Sequence, residues 1–376
     1  SIAYVFSAIV DVKTQMANST KIDESLQKEK NEDTTRVKIL LLGGADAGKS
    51  TIVKQMRILH MNGFSDDEMR SFQKYLRYNL FQIFHEIAIA IHSLIDNIEP
   101  AEENEIIRFA QGIEWIISVD HEEEIEHLLN FFNLKCVRKF MEVYPNFSSL
   151  PDNAFYYIPM LSTLLTPGYV LTSTDILHLR IPTTSVNEIN FNLATRSIRL
   201  IDVGGQRSYR KKWIHCFDGV AAVLFVASMA SYDQVLDDVD KAIKPVLHKD
   251  ALPVETVKAK PYSRLRDSVQ LFGDMLRNEF LITAAFILFL NKKDLFLNKL
   301  STHPLRKYVN GYKGQNDNDA CAFMKDYFLK RKSTKDRDRS IYAHFCTATD
   351  TKNIEFVFKA ACEIALTKNL LKTGIQ

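Results

Sequence analysis

The sequence predicts an α/β fold: a mostly parallel sheet covered by helices on both faces, with an all-helical stretch inserted into it. Three observations carry that prediction. Short apolar runs of strand length, Val37–Leu42, Ile198–Ile201, Val220–Ala227 and Phe286–Leu290, recur between stretches of helical periodicity. Val37–Leu42, Ile198–Ile201 and Phe286–Leu290 each open into a polar motif rich in Gly, Asp or Asn, as strand carboxyl ends do in sheets that bind ligands there. From Met69 to about Tyr169, by contrast, apolar residues keep helical spacing and no alternating strand intervenes.

In chain order, residues 11–36 are polar with Val12, Met16, Ile22 and Leu26 mostly at i, i+4 spacings, which reads as an exposed helix. Val37–Leu42 is the first strand, and Ser50–His60 follows with Ile52, Val53, Met56 and Leu59 on one helical face. Ser65-Asp66-Asp67-Glu68 has the capping-box pattern, a hydroxyl followed three residues later by a carboxylate. Beyond it the stripe Met69, Phe72, Leu76, Leu80, Ile83, Ile87, Ile91, Leu94, Ile98 predicts one helix of about thirty residues, long for a globular domain. Shorter helices are expected over Glu102–Phe109, His121–Phe132 and Val137–Tyr144. Ile189–Leu193 alternates as a strand, and Tyr342–Cys346 precedes a last helix, Asn353 to about Lys372, with Ile354, Val357, Ala361 and Ile364 facing inward. Asp237–Ser263 carries Pro245, Pro253 and Pro261 without periodicity and is read as a loop.

Bulk properties set limits. The 376 residues suit two domains of ordinary size, and 46% hydrophobic content suffices for sizeable cores. A net charge of +2 gives no reason to invoke nucleic acid. The apolar run Ile2–Val10 is about half the ~20 residues needed to span a bilayer, and it lacks a basic leader. Cys216 and Cys362 lie in strongly apolar segments and read as small buried hydrophobes. His215 and His344 have no carboxylate or cysteine partner in sequence and read as satisfied structural histidines.

Five short motifs in one order carry the chemistry. Gly43-Gly44-Ala45-Asp46-Ala47-Gly48-Lys49-Ser50 fits G-x-x-x-x-G-K-[ST], a turn whose backbone N–H groups cradle phosphates while the lysine reaches the terminal ones. Arg180 to Thr184, Asp202-Val203-Gly204-Gly205-Gln206, Asn291-Lys292-Lys293-Asp294 and Cys346-Thr347-Ala348-Thr349 follow. The fourth decides the base: the Asp294 carboxylate can accept from the N1–H and 2-amino group of guanine, a donor pair adenine lacks. The ligand read from these motifs is GTP, or GDP after hydrolysis.

On these motifs, and most specifically over Val37–His60, Asp202–Asp233, Ile287–Asp294 and His344–Phe358, the chain resembles the α subunits of heterotrimeric G proteins. The resemblance runs from about Ser19 to the end. It implies a Ras-like P-loop GTPase domain over 37–62 and 177–376, an inserted helical domain over 63–176, an N-terminal segment 1–36 that docks a βγ dimer, and an atypical loop at 237–263. Small GTPases share the nucleotide motifs but lack the long insert and the Arg-x-x-Thr-Thr segment.

The resemblance also implies residue roles. Gly43, Asp46, Ala47, Gly48, Lys49, Ser50 and Thr51 would surround the phosphates, with Lys49 neutralising β- and γ-phosphate charge. Ser50, Thr183 and Asp202 would hold Mg²⁺, Asp202 through water. Gly205 would meet the γ-phosphate by its backbone N–H, Gln206 would orient the attacking water, and Arg180 would stabilise the developing charge. Asn291 would brace the loops, Lys292 would stack its stem on the purine, and the Ala348 N–H would meet guanine O6. Asp152 and Asn153 would reach the nucleotide from the helical domain, and Leu177 would join them.

A cytosolic setting with reduced thiols, a receptor contact through the C-terminal helix and effector contact through the switch segments follow from the same resemblance. So does peripheral association with the cytoplasmic face of the plasma membrane. The family's lipid anchor has no motif here: the first residue is Ser1, Met16 is followed by Ala17, and no cysteine precedes Cys136. The start of the chain is therefore read as incomplete or misassigned, with membrane contact through partners alone as the alternative. Three further departures stand out: Ala45 in place of glycine beside the γ-phosphate, about twenty extra residues in Asp237–Ser263, and Thr373 where some members carry the cysteine modified by pertussis toxin. The leading reading is a GTP-hydrolysing switch; a GTP-dependent binding scaffold with negligible hydrolysis is the alternative that Ala45 and the long loop suggest.

Overall fold

The computed structural model describes residues 36–94, 98–111, 121–144, 150–194, 196–236, 263–332 and 339–373. The expected N-terminal helix over 11–36 lies outside these residues except for Arg36, as does nearly all of the loop at 237–263.

Six strands form one sheet in the order β2-β3-β1-β4-β5-β6: β1 (Val37–Leu42), β2 (Asn187–Leu193), β3 (Arg196–Asp202), β4 (Ala222–Ser228), β5 (Ala285–Asn291) and β6 (Ile341–Phe345). All neighbours are parallel except β2, which pairs antiparallel with β3 through a hairpin. Every residue of β4 and β5 is buried, which is why these strands read as unbroken apolar runs, whereas edge strand β2 alternates. Successive residues serve opposite faces. Leu40, Val223, Phe225, Phe286 and Leu288 join one core; Ile39, Leu41, Leu224, Ile287 and Phe289 join the other.

Helices cover both faces. The first core packs on α7 (Arg264–Leu276), α8 (Lys293–Leu300) and α9 (Asp317–Leu329); the second packs on α1 (Lys49–His60) and α10 (Thr351–Thr373). Between α1 and β2 lies a third core built wholly from residues 72–179, on α2 (Asp66–Leu94), α3 (Pro100–Gln111), α4 (His121–Asn133), α5 (Lys135–Val143), α6 (Ser173–His178) and short turns at Ala154–Tyr157 and Leu161–Leu164. No strand occurs in it among the described residues. The capping box at the start of α2 forms as predicted: Ser65 N–H donates to Glu68 Oε2 at 2.9 Å and Glu68 N–H to Ser65 Oγ at 3.4 Å. Arg57 clamps the same carboxylate with two hydrogen bonds, 2.6 and 2.8 Å.

Two features were not predicted. Arg207–Cys216, after the Asp202 motif, is a 3-10 run rather than a plain loop. The chain also closes a neck around the atypical segment: Val235 bridges Ser263 antiparallel, and Arg264 N–H donates to the Gln234 carbonyl at 3.0 Å.

Candidate nucleotide site

The phosphate loop turns between β1 and α1 at the carboxyl end of the sheet, beside the central strand where the chain order reverses. Gly48 has φ +101°, and a Cβ there would overlap Asn291 Nδ2, so the base motif packs against bare backbone. The α1 N-terminus has no side-chain cap, which leaves its N–H groups facing the loop for an anion. Lys49 is buried and donates to the carbonyls of Gly43 (3.1 Å) and Gly44 (2.9 Å); burial holds its ammonium below the usual lysine range. A Cβ on Gly205 would overlap the Gly44 oxygen and stand 2.5 Å from Lys49 Nζ, so the approach of backbone to backbone at this point requires glycine. Ala47 is buried, and Thr51 lies half-buried in the first turn of α1. Ala45 is exposed at the tip.

Ser50, Thr183 and Asp202, far apart in sequence, share one point. Ser50 Oγ donates to Asp202 Oδ2 (2.9 Å) and lies 2.7 Å from Thr183 Oγ1, which is 3.4 Å from the same carboxylate. Burial raises the Asp202 carboxyl above its usual range against the pull of Lys49, and its Oδ1 is buried without a partner. An orphaned carboxylate oxygen beside two hydroxyls is a hard oxygen set, and it fits Mg²⁺, which takes few protein ligands and completes its shell with phosphate and water. No cluster of three or more His, Cys, Asp or Glu suited to a metal occurs among the described residues.

The Arg180 guanidinium pairs with Asp46 of the phosphate loop, and Arg264 reaches the same carboxylate at 3.2 Å. Burial pushes the Asp46 carboxyl up, but Arg180, Lys292 and Arg264 together hold it below its usual range. Gln206 is exposed at the head of the 3-10 run. Behind it Arg207 and Arg210 both grip Asp267 on α7, and Trp213 Nε1 donates to the Gly204 carbonyl at 3.0 Å.

At the base end Asn291 ties two loops together: its Nδ2 donates to the Ala47 carbonyl (2.8 Å), and its Oδ1 accepts from Ala348 N–H (2.9 Å). That second bond amends the expectation for Ala348. Its N–H is engaged by Asn291, so a contact to guanine O6 would be shared with that oxygen. Gln55 holds the Ala348 carbonyl at 2.9 Å, and Thr347 Oγ1 donates to Asp294 Oδ1 at 3.3 Å. Lys292, in the left-handed conformation, pairs with Asp152 across from the helical insert. Burial would raise the Asp152 carboxyl, yet Lys292 brings it below the usual range.

Asn153 departs from expectation. Its Nδ2 is committed to Asn79 Oδ1 (2.7 Å) and the His178 carbonyl (3.3 Å), so it sits behind Arg180 and does not offer that amide to the nucleotide. Leu177 is buried in α6. His344 lies edge-on to Phe289 with its Nε2 buried and unpartnered, while His215 is exposed, so His344 is structural without being satisfied by protein. All five cysteines are free and buried. Sequence reasoning missed Lys54, Gln55, Asn79 and Arg264; the available signal was that Lys54, Gln55 and Asn79 are polar residues on otherwise apolar helix stripes.

A phosphate loop, a hydroxyl–carboxylate cluster, an arginine paired to that loop and the Asn291–Asp294 motif, gathered at one end of a mostly parallel sheet, define a Ras-like GTP-binding protein carrying a helical insert. Comparison with known proteins refines this: residues 16–365 match the family described as G-protein alpha subunit, and the chain belongs to that family. Among its relatives are the guanine nucleotide-binding protein alpha-5 subunit of Caenorhabditis elegans, 34% identical over 370 residues, and its namesake in Caenorhabditis briggsae, 35% identical over 376. The alignments cover 95% and 96% of this chain and 96% and 97% of those proteins. No helix among the described residues is long and apolar enough to cross a membrane.

Proposed function

We propose that this chain is a GTP-hydrolysing molecular switch that passes signals from G protein-coupled receptors to effectors. The observation that carries this is the convergence of Ser50, Thr183 and Asp202 at one point, beside a buried Lys49, with Arg180 paired to Asp46 of the same phosphate loop. Those three residues would hold Mg²⁺, which when bound neutralises phosphate charge. Lys49 leaves its two carbonyls for the β- and γ-phosphates, and the Gly205 N–H meets the γ-phosphate. Gln206, exposed at the loop end, orients the attacking water; Arg180 swings from Asp46 to the transferring phosphoryl group. Asp294 reads guanine while Asn291 fixes the loops around it.

We assign 37–62 and 177–376 to the GTPase domain and 63–176 to the helical domain; the packing of the third core runs slightly past that boundary to Leu179. The partners in this reading are a βγ dimer, a receptor at the C-terminal helix and an effector at the switch segments, at the inner face of the plasma membrane. Ala45 supports a second reading, a GTP-dependent scaffold, because a methyl beside the γ-phosphate crowds the transition state more than the ground state. Single-turnover hydrolysis of pre-bound GTP decides. Turnover well above the nucleotide's own hydrolysis supports the switch, and turnover at that background sinks it in favour of the scaffold.

A further inference from the structure

A buried asparagine on an apolar helix face is costly unless its amide is fully paired. Asn79 of α2 is 1% exposed between Leu76, Leu80 and Ile83, and every bonding position of its amide is filled. Its Nδ2 donates to the Tyr75 carbonyl (2.8 Å) and the Arg180 carbonyl (3.0 Å); its Oδ1 accepts from Arg180 N–H (2.7 Å) and Asn153 Nδ2 (2.7 Å). One side chain thus grips both peptide groups of Arg180. Neighbouring groups are pinned too: Asn153 holds the His178 carbonyl, and Lys54 Nζ holds those of Ile176 (2.9 Å) and Leu179 (2.7 Å). The main chain from 176 to 180 is therefore bolted by side chains from three elements. The Arg180 side chain itself stays 41% exposed and paired with Asp46. A leucine at 79 would fill the helix face more cheaply, so the polar cluster serves the residue it grips.

We propose that Asn79, braced by Asn153, is a positioning residue for Arg180. It fixes where the arginine side chain begins, so that the guanidinium needs only rotamer changes to pass from Asp46 to the phosphoryl group. This rests on the reading of Arg180 as the charge-stabilising residue. Displacements of about 1 Å at such a group can cost up to about a hundredfold in rate.

The test is single-turnover GTP hydrolysis in the full chain with Asn79→Ala, Arg180→Cys and the double variant, alongside GTP affinity. Asn79→Ala is expected to slow hydrolysis roughly tenfold with affinity changed less than about threefold, and to add almost nothing in the Arg180→Cys background. A purely structural asparagine would instead give additive losses. Hydrolysis at the parent rate in Asn79→Ala, or a double variant slowed by the product of the single effects, overturns the proposal. If Asn79→Ala does not fold, Asn153→Ala, which removes the brace on Asn79 and the bond to the His178 carbonyl but leaves Asn79 on Arg180, is judged by the same non-additivity with Arg180→Cys. Should Arg180→Cys alone hydrolyse GTP normally, it is the role of Arg180 that fails.

Discussion

Breaking the Asp152–Lys292 pair should speed GDP release. The pair links the segment leading into the Ala154–Tyr157 turn of the insert to the guanine motif after β5, and the two side chains are 19% and 18% exposed. Fully exposed pairs contribute about 0.2–1 kcal/mol, while stripping one partner from a buried pair costs about 3–5 kcal/mol. At roughly one-fifth exposure, Asp152→Asn should lose about 1–2 kcal/mol of closure, because the near-isosteric amide keeps a hydrogen bond but not the charge. With tenfold in rate for each 1.4 kcal/mol, GDP should leave roughly 5–30 times faster if opening of the cleft limits release. The assay is stopped-flow loss of a fluorescent GDP analogue chased with unlabelled GTP, at about 0.05 and about 0.5 M salt. Salt should accelerate the parent more than the variant, since only the parent has an ion pair to screen. Release from Asp152→Asn within twofold of the parent at both salts would refute the latch.

Other outcomes follow from the same geometry. Asp294→Asn should weaken GTP and favour xanthosine triphosphate, whose 2-oxo group prefers an amide donor; competition binding with unchanged GTP affinity would remove Asp294 from the base site. Gln206→Leu should bind GTP nearly normally yet hydrolyse it at least about tenfold more slowly, and Ala45→Gly should quicken hydrolysis, both read by single turnover. His178 lies flat on Tyr156 with rings 3.9 Å apart, and burial, against the pull of Asp294 and Asp175, pushes its imidazole down to about 4. The folded state therefore binds this proton less readily than the unfolded chain. The stability His178 supports is complete above pH 6.5, the ordinary value, and declines as pH falls towards 4. His178→Phe keeps the stack and should flatten that decline by about 1–2 kcal/mol. Urea midpoints that fall in parallel for parent and variant across this window would contradict the assignment.

Much of this was legible in the sequence because its signals are local. The continuous runs of β1, β4 and β5 announce strands buried on both faces, and Ser65 with Glu68 announces the start of α2 to the residue. Gly43, Gly48, Gly204 and Gly205 each stand where a Cβ would overlap a neighbouring segment, so these glycines spell the motifs outright. What escaped is non-local. Nothing in the spacing of Lys54, Asn79 and Asn153 says that all three reach one stretch of backbone, because side-chain-to-main-chain hydrogen bonds across the fold have no period. The engagement of the Ala348 N–H by Asn291 escaped for the same reason: it depends on the register of two loops from different strands. The 3-10 run after Gln206 is held by Asp267 and by Gly204, partners that local propensity does not see.

The neck at Val235 and Ser263 makes the sheet indifferent to what hangs between them. Because the chain leaves and returns through one antiparallel bridge, ring closure is already secured there, and its entropic penalty grows only with the logarithm of the length enclosed. Exchange of residues 237–262 for a four-residue turn, or for an entire fluorescent domain, should therefore leave the urea midpoint of the remainder nearly unchanged. The port is also well placed for a sensor. Arg264, the residue just past the neck, touches Asp46 in the phosphate loop, so a reporter grafted there would sit one side chain away from the event it is meant to detect.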